Sequence, residues 1–272
     1  METISILGCG WLGLPLAEYL IKSGYRVKGS TRTKNDISIL EAKGIIPSLL
    51  ILDPQIHGNN LNNFFNSDVL IINFPPERRD DIVKYHELQI ISLIKRIIHS
   101  SIEKVLFVSS TSVYPDVNGV VSETESQAPS KLSGQALLKV EQLLMDCSEF
   151  ETTILRFAGL IGYERKPGRF LAGKKEVING KAPVNLIHRD DCIKIIHQII
   201  QKNIWRERFN ACADLHPTRK DYYIDAANKL GLTPPTFVET NNCSYKIVSN
   251  EKLKKQLNYI YKYPDPFEID SD

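Results

Sequence analysis

The chain has 272 residues, 34 of them Lys or Arg and 32 Asp or Glu, for a formal net charge of +2; 42% are hydrophobic and 24% charged. That balance excludes a disordered chain and leaves no basic face for nucleic acid, so no nucleic-acid partner is expected. Five dispersed cysteines without metal-ligand spacing, no basic leader, and no apolar run near the ~20 residues of a membrane span lead to one expectation: a cytoplasmic protein with no metal and no membrane partner.

Ile4–Leu7 is a short apolar run that breaks into Gly8, Gly10 and Gly13 with G-x-G-x-x-G spacing. An amphipathic stretch follows (Leu14, Leu16, Ala17, Leu20, Ile21), then Gly24 and a second strand at Tyr25–Gly29. Strand, turn, helix and strand in this order are the context of a dinucleotide-binding fingerprint. Gly8 permits the tight turn, and Gly10 lets bare backbone approach a pyrophosphate at the helix N-terminus. Gly13 lets the helix pack closely, and Trp11 and Leu12 open that helix at the cofactor. The second strand ends at Ser30, Thr31 and Arg32. An NAD-selective site carries an acidic residue there for the ribose 2′-hydroxyl. Hydroxyls followed by a guanidinium suit a 2′-phosphate, so NADP is the expected cofactor, with NAD as the alternative. The competing reading makes Arg32 a surface residue of the loop.

Ile37–Lys43 reads as a short helix and Ser48–Leu52 as a third strand, closed by Asp53. That carboxylate can accept from an adenine amino group or cap a turn. His57–Asn66 reads as a loop with a helical turn. Asp68–Phe74 is a buried strand that Pro75 and Pro76 end abruptly. Ligands bind outside the carboxyl ends of such strands, so Asn73, Phe74 and Pro75 are expected to line the cleft. Tyr85–Ser100 has helical periodicity through Leu88, Ile91, Ile94 and Ile98. Lys104–Val108 is the next strand and runs into the hydroxyl-rich Ser109–Tyr114, with Ser109 expected at the cofactor. Ser133–Met145 is a helix and Thr152–Phe157 a strand. The alternation predicts an α/β fold, a Rossmann-type doubly wound parallel sheet over residues 1–157. A small C-terminal α+β substrate lobe is expected over 158–272. It holds a strand at Asn185–His188, a helix at Asp191–Gln201 packing back on the sheet, and a strand at Phe209–Ala211. A helix at Thr218–Leu230, capped by Thr218 and Gly231, and a short helix at Asn250–Leu257 follow, before a Pro-broken tail at Tyr259–Asp272.

Four motifs in order, GCGWLG, SSTSVY, LRFAGLIG and NLIHRDDC, resemble those of the short-chain dehydrogenase/reductase superfamily. The chain is most similar to its extended branch, the nucleotide-sugar epimerases and dehydratases. The resemblance implies an NAD(P)-binding domain with a small substrate lobe, and it puts Ser110 at the catalytic Ser/Thr position. It also implies dimerisation through the helices at Tyr85–Ser100 and Ser133–Met145, where Ile91, Ile94 and Leu138 are apolar. The family's Tyr-x-x-x-Lys pair falls on the segment SGQALLKVEQLL. With Lys139 in the lysine position, Gln135 occupies that of the tyrosine, and glutamine has no titratable proton. The chain thus resembles the atypical members, in which the glycine loop persists and the catalytic set is incomplete. His188, Tyr163 and Tyr114 are the candidate replacements; His188 has the most suitable intrinsic pKa. Its competing reading is a strand-end histidine bonded to the Arg189–Asp191 turn, and Asp190 and Asp191 read as helix caps.

Three functions follow. The first is an NADP-dependent hydride transfer at a carbonyl or alcohol carbon of a small polar, sugar-like substrate, with Ser110, Lys139 and His188 as its catalytic residues. The second is a non-enzymatic NADP-binding regulator or sensor on the same fold. The third is drawn from GCGWLGLPLA, which is similar to the loop of β-hydroxyacid dehydrogenases; those need a helical second domain, whereas strands continue here.

Overall fold

The computed structural model describes residues 1–239 and 243–269. The first strand, β1 (Thr3–Leu7), leads through the glycine loop into helix α1 (Gly13–Lys22), β2 (Arg26–Thr31), α2 (Asp36–Ala42) and β3 (Ile46–Asp53). A short β4 (Gln55–Gly58) folds back on β3 and is antiparallel to it, with Leu52 opposite Ile56. Then come α3 (Leu61–Phe65), β5 (Val69–Ile72), α4 (Ile82–Ile97), β6 (Lys104–Ser110), β7 (Gly119–Val121), α5 (Leu132–Met145) and β8 (Glu151–Phe157). The rest holds β9 (Gly159–Ile161), α6 (Gly168–Leu171), β10 (Leu186–His188), α7 (Arg189–Gln201), β11 (Arg208–Ala211), α8 (Arg219–Lys229), β12 (Lys246–Val248) and α9 (Glu251–Leu257).

Eight strands form one sheet in the order β11-β8-β6-β5-β1-β2-β3-β4. Its central strands are mostly apolar because both faces are covered: Ile4, Ile6, Val69–Ile72 and Val105–Phe107 are fully buried. β1 pairs in parallel with β2 on one side (Ile4 beside Val27) and β5 on the other (Ile4 beside Val69). The strand order therefore reverses at β1, which opens a crevice at the carboxyl ends of β1 and β5.

The chain forms two compact units. One comprises Met1–Val113, Ser130–Leu155 and Ile196–Arg208; the other comprises Tyr114–Pro129, Arg156–Ile195 and the described part of Phe209–Asp272. The sequence reading set one boundary after Phe157. It also returned the helix at Asp191–Gln201 to the sheet; the units interleave further, with boundaries after Val113 and Pro129 and inside β8, α7 and β11. In the second unit β9 pairs in parallel with β10 and β7 with β12, and Ile161, Val184, Leu186 and Tyr222 form a core.

Three local findings differ from the sequence reading. The β3–β4 hairpin replaces the expected loop around His57. In α4 the buried stripe is Ile82, Tyr85, His86, Gln89, Ile90, Leu93 and Ile97, whereas Leu88 and Ile98 are exposed. Two polar residues on the buried stripe disguised it. Part of the expected tail is anchored, and its last three residues lie outside the described ones. The cap on α8 is as expected: Thr218 Oγ1 accepts from Asp221 N at 3.1 Å, and Gly231 follows the helix at φ +63°.

Candidate cofactor site

The glycine loop is held by three hydrogen bonds from two sides within the first unit. Gly8 N donates to Ser30 Oγ at 2.9 Å and Cys9 N to Ser30 O at 2.9 Å. Asn73 Nδ2 donates to Gly8 O at 2.9 Å, so the ends of β1, β2 and β5 are tied together. Gly8 has φ +108°, and a Cβ there would lie 2.4 Å from Asn73 O. A Cβ on Gly13 would lie 2.1 Å from Gly8 O. The chain itself explains both glycines. Gly10 is different: an added Cβ meets nothing within 4 Å, and its backbone is outside the left-handed region. The space it leaves open belongs to a cavity, and helical bonding starts at its carbonyl, where Leu14 N donates at 2.9 Å. The positive end of the α1 dipole thus stands at residues 10–12, with Trp11, Leu12 and Gly13 forming the helix start.

The cavity, about 410 Å³, is lined by Leu7–Gly10, Ser30–Thr33, Asp36, Leu50–Leu52, Ile56, Asn73–Glu77 and Gln89. It brings together Gly8, Gly10, Ser30, Thr31, Arg32, Asn73, Phe74 and Pro75 from the sequence-derived set. Its apolar side, Leu50, Leu52 and Ile56, comes from the β3–β4 hairpin. Ser30 is buried and its hydroxyl braces the loop. Thr31 Oγ1 donates to Asp36 Oδ2 at 2.9 Å and accepts from Thr33 N at 3.1 Å. Arg32 Nη1 lies 3.6 Å from Glu77 Oε1. Asp36 and Glu77 were not legible from sequence, because one opens α2 and the other follows Pro76, and neither belongs to a motif of its own. Cys9 also lines the cavity; burial pushes its thiol up to about 12, so it is no nucleophile at neutral pH.

Five expected cofactor residues are outside this lining: Trp11, Leu12 and Gly13, which form the start of α1 beside it, and Asp53 and Ser109, which are engaged elsewhere. Asp53 sits at the hairpin corner outside the cavity lining and accepts from the Tyr85 hydroxyl at 2.6 Å. That bond holds the tyrosine proton and raises the Tyr85 pKa to about 12. Ser109 is buried and donates to Glu141 Oε1 at 2.6 Å, which fastens β6 to α5.

The expected catalytic residues do not line the cavity either. Ser110 Oγ accepts from Ser112 N at 3.1 Å at the start of a 3-10 turn. Lys139 is exposed on α5, 3.5 Å from Glu87 on α4, and Gln135 precedes it by one helical turn. In the second unit, Tyr114 is buried. Its hydroxyl donates to Asn210 Oδ1 at 2.6 Å and accepts from Arg156 Nη1 at 2.6 Å, and burial raises its pKa. His188 is buried between the rings of Tyr163 and Tyr263, and its Nδ1 accepts from Asp190 N at 3.2 Å. A backbone N–H only donates, so the proton of the neutral ring is on Nε2; burial lowers the His188 pKa. Asp190 and Asp191 do not cap α7. Asp190 accepts from Tyr163 and Lys262, and Asp191 from Tyr259 and the Lys262 and Tyr263 amides. Among the described residues no group of three or more His, Cys, Asp or Glu could hold a metal, and no helix is long and apolar enough to cross a membrane.

A mostly parallel sheet that reverses at β1, with a glycine loop and a helix N-terminus at its carboxyl edge, defines a Rossmann-type dinucleotide-binding fold. The chain belongs to the NAD dependent epimerase/dehydratase family, whose model matches residues 4–212. Protein YeeZ of Escherichia coli (strain K12) is 35% identical over 269 residues, covering 98% of each chain. Among solved structures, UDP-glucuronic acid 4-epimerase from Bacillus cereus, in complex with NAD, is similar at a TM-score of 0.81 and 20% identity, over 98% of this chain and 95% of that one. A conserved protein from Silicibacter pomeroyi is similar at a TM-score of 0.78 and 22% identity, over 99% of this chain and 96% of that one. The last two likenesses show the fold.

Proposed function

We propose that this protein is an NADP-dependent oxidoreductase of epimerase-like type, which transfers hydride at a carbonyl or alcohol carbon of a small polar, sugar-like substrate. The observation that carries the reading is Gly10: nothing in the chain requires a glycine there, and the opening it leaves faces a cavity suited to a dinucleotide. The residues fit the group. The α1 N-terminus suits the pyrophosphate, the Leu50–Ile56 wall an adenine ring, and Arg32 a 2′-phosphate. A bound nicotinamide ring supplies the hydride acceptor or donor. Ser110 then polarises the substrate oxygen, and Lys139, now beside Glu87, is the cation for the ribose. Gln135 stands where the family's tyrosine is expected and moves no proton. His188 is the replacement we assign, with its Nε2–H as donor. The same reading takes the protein as cytoplasmic, on its dispersed free cysteines, and as a homodimer through α4 and α5, where Leu88 and Ile98 stay exposed.

A second reading has specific support. Tyr114 is locked in a buried network, Ser109 is spent on Glu141 and Lys139 is paired with Glu87, which suits a regulator that binds NADP without turning it over. Calorimetry with NADP(H) and NAD(H), followed by a carbonyl and alcohol screen monitored by nicotinamide absorbance, separates the two. Binding with turnover supports the enzyme, binding without turnover on any substrate supports the regulator, and no binding contradicts both.

A further inference from the structure

The cavity lining carries one cation and two carboxylates, and the carboxylates are not equivalent. Asp36 is committed to its own turn, because Thr31 Oγ1 donates to it at 2.9 Å. Glu77 stands in the segment after β5, and its Oε1 lies 3.6 Å from Arg32 Nη1. Pro75 and Pro76 precede it and fix their own φ angles, so Glu77 is presented from a stiff arm. The Arg32 and Glu77 side chains are 77% and 43% exposed. A solvated pair of this kind is weakly held and readily exchanged for a stronger anion.

We propose that Glu77 sets how strongly the protein prefers a phosphorylated dinucleotide, by competing with the 2′-phosphate for Arg32. The inference rests on the reading of Arg32 as the partner of that phosphate. A ribose 2′-hydroxyl is neutral, makes no claim on the guanidinium charge and leaves the Arg32–Glu77 pair in place. A 2′-phosphate, close to a dianion, takes the guanidinium from the carboxylate and then stays within a Debye length of it, about 8 Å at physiological ionic strength. Glu77 therefore weakens NADP and leaves NAD almost untouched. Without its charge, Arg32 and Asp36 alone remain as charged groups in the lining, and they balance.

The test is a binding cycle by calorimetry on wild type, E77Q, R32A and the double variant, with NADP+ and NAD+ as probes at fixed salt. The pair 2′,5′-ADP and 5′-AMP reports the adenosine end alone. In E77Q, NADP+ and 2′,5′-ADP should bind about two- to tenfold more tightly, while NAD+ and 5′-AMP change by less than about twofold. The gain should disappear when Arg32 is also replaced. If R32A removes the preference for the phosphorylated probes but E77Q leaves it unchanged, the role of Glu77 is overturned and the 2′-phosphate reading stands. If R32A leaves the preference unchanged, both are overturned. An equal gain for both cofactors in E77Q also overturns the proposal, since it would mark a general effect of charge on the cavity.

Discussion

Tyr114 shows how a residue that looks chemical in the sequence becomes structural in the fold. It lies four residues beyond Ser110, where a hydroxyl-rich strand end suggests proton transfer. The structure buries it, gives its hydroxyl a donor and an acceptor partner at 2.6 Å each, and sets the Arg156 guanidinium 5.0 Å from its ring centre. Desolvation raises its pKa, which is the wrong direction for a base. Tyr114→Phe is expected to cost about 1–3 kcal/mol, because Asn210 and Arg156 each lose a buried partner. Urea unfolding measures this, and an unchanged midpoint would show that the hydroxyl holds nothing. Lys28 follows the same logic. It is a buried cation inside β2 whose Nζ donates to the carbonyls of Asn63 and Asn66 at the end of α3.

At the scale of elements, the start of α7 is the joint that secures the C-terminal segment. Asp191 is fully buried, and its two oxygens accept from Tyr259 Oη at 2.7 Å, Lys262 N at 2.8 Å and Tyr263 N at 3.1 Å. The sequence suggested a helix cap, since Asp in a first turn suits the dipole. A local rule could not reveal that its partners lie about seventy residues away. Asp191→Ala is expected to destabilise the protein by about 3–5 kcal/mol, because three bonds to a charged acceptor are lost, one from a buried hydroxyl and two from part-buried amides. Hydrogen exchange reads the effect locally: the Lys262 and Tyr263 amides should lose protection before the β5 amides do. Equal loss across both would contradict a local clamp.

For the whole molecule, the legible parts were those built on strands whose residues are mostly buried. β1, β5, β6 and β8 are buried on both faces and read directly, and the glycine spacing marked the crevice at β1 and β5. The three-residue strands β7, β9 and β12 are too short to establish a period and have no wholly buried apolar run to mark them. The cavity was half legible. Its backbone edge followed from the motif, but its two carboxylates and its hairpin wall depend on tertiary placement. Charge also acts at this scale. Burial lowers the pKa of His86, His188, His197 and His216 below their ordinary value. Below about pH 6.5 the unfolded chain then binds protons that the folded chain refuses, so stability falls as pH drops. Each such histidine contributes a slope of up to about 1.4 kcal/mol per pH unit until its folded pKa is reached. Urea midpoints at pH 7 and pH 5 test the sign, and a protein more stable at pH 5 would contradict it.

The central claim, that the glycine loop is built for a dinucleotide, is tested most directly by Gly10→Ala beside Gly13→Ala. The Gly10 site accepts a methyl group without touching the chain, and Gly13 does not. Gly10→Ala is therefore expected to keep or slightly raise the melting temperature, with a gain of up to about 1 kcal/mol, because its backbone suits alanine. Its dinucleotide Kd should rise about tenfold or more, since the methyl group occupies ligand space. Gly13→Ala should lose stability first. A Gly10→Ala protein that binds NADP+ and NAD+ as wild type does would contradict the account.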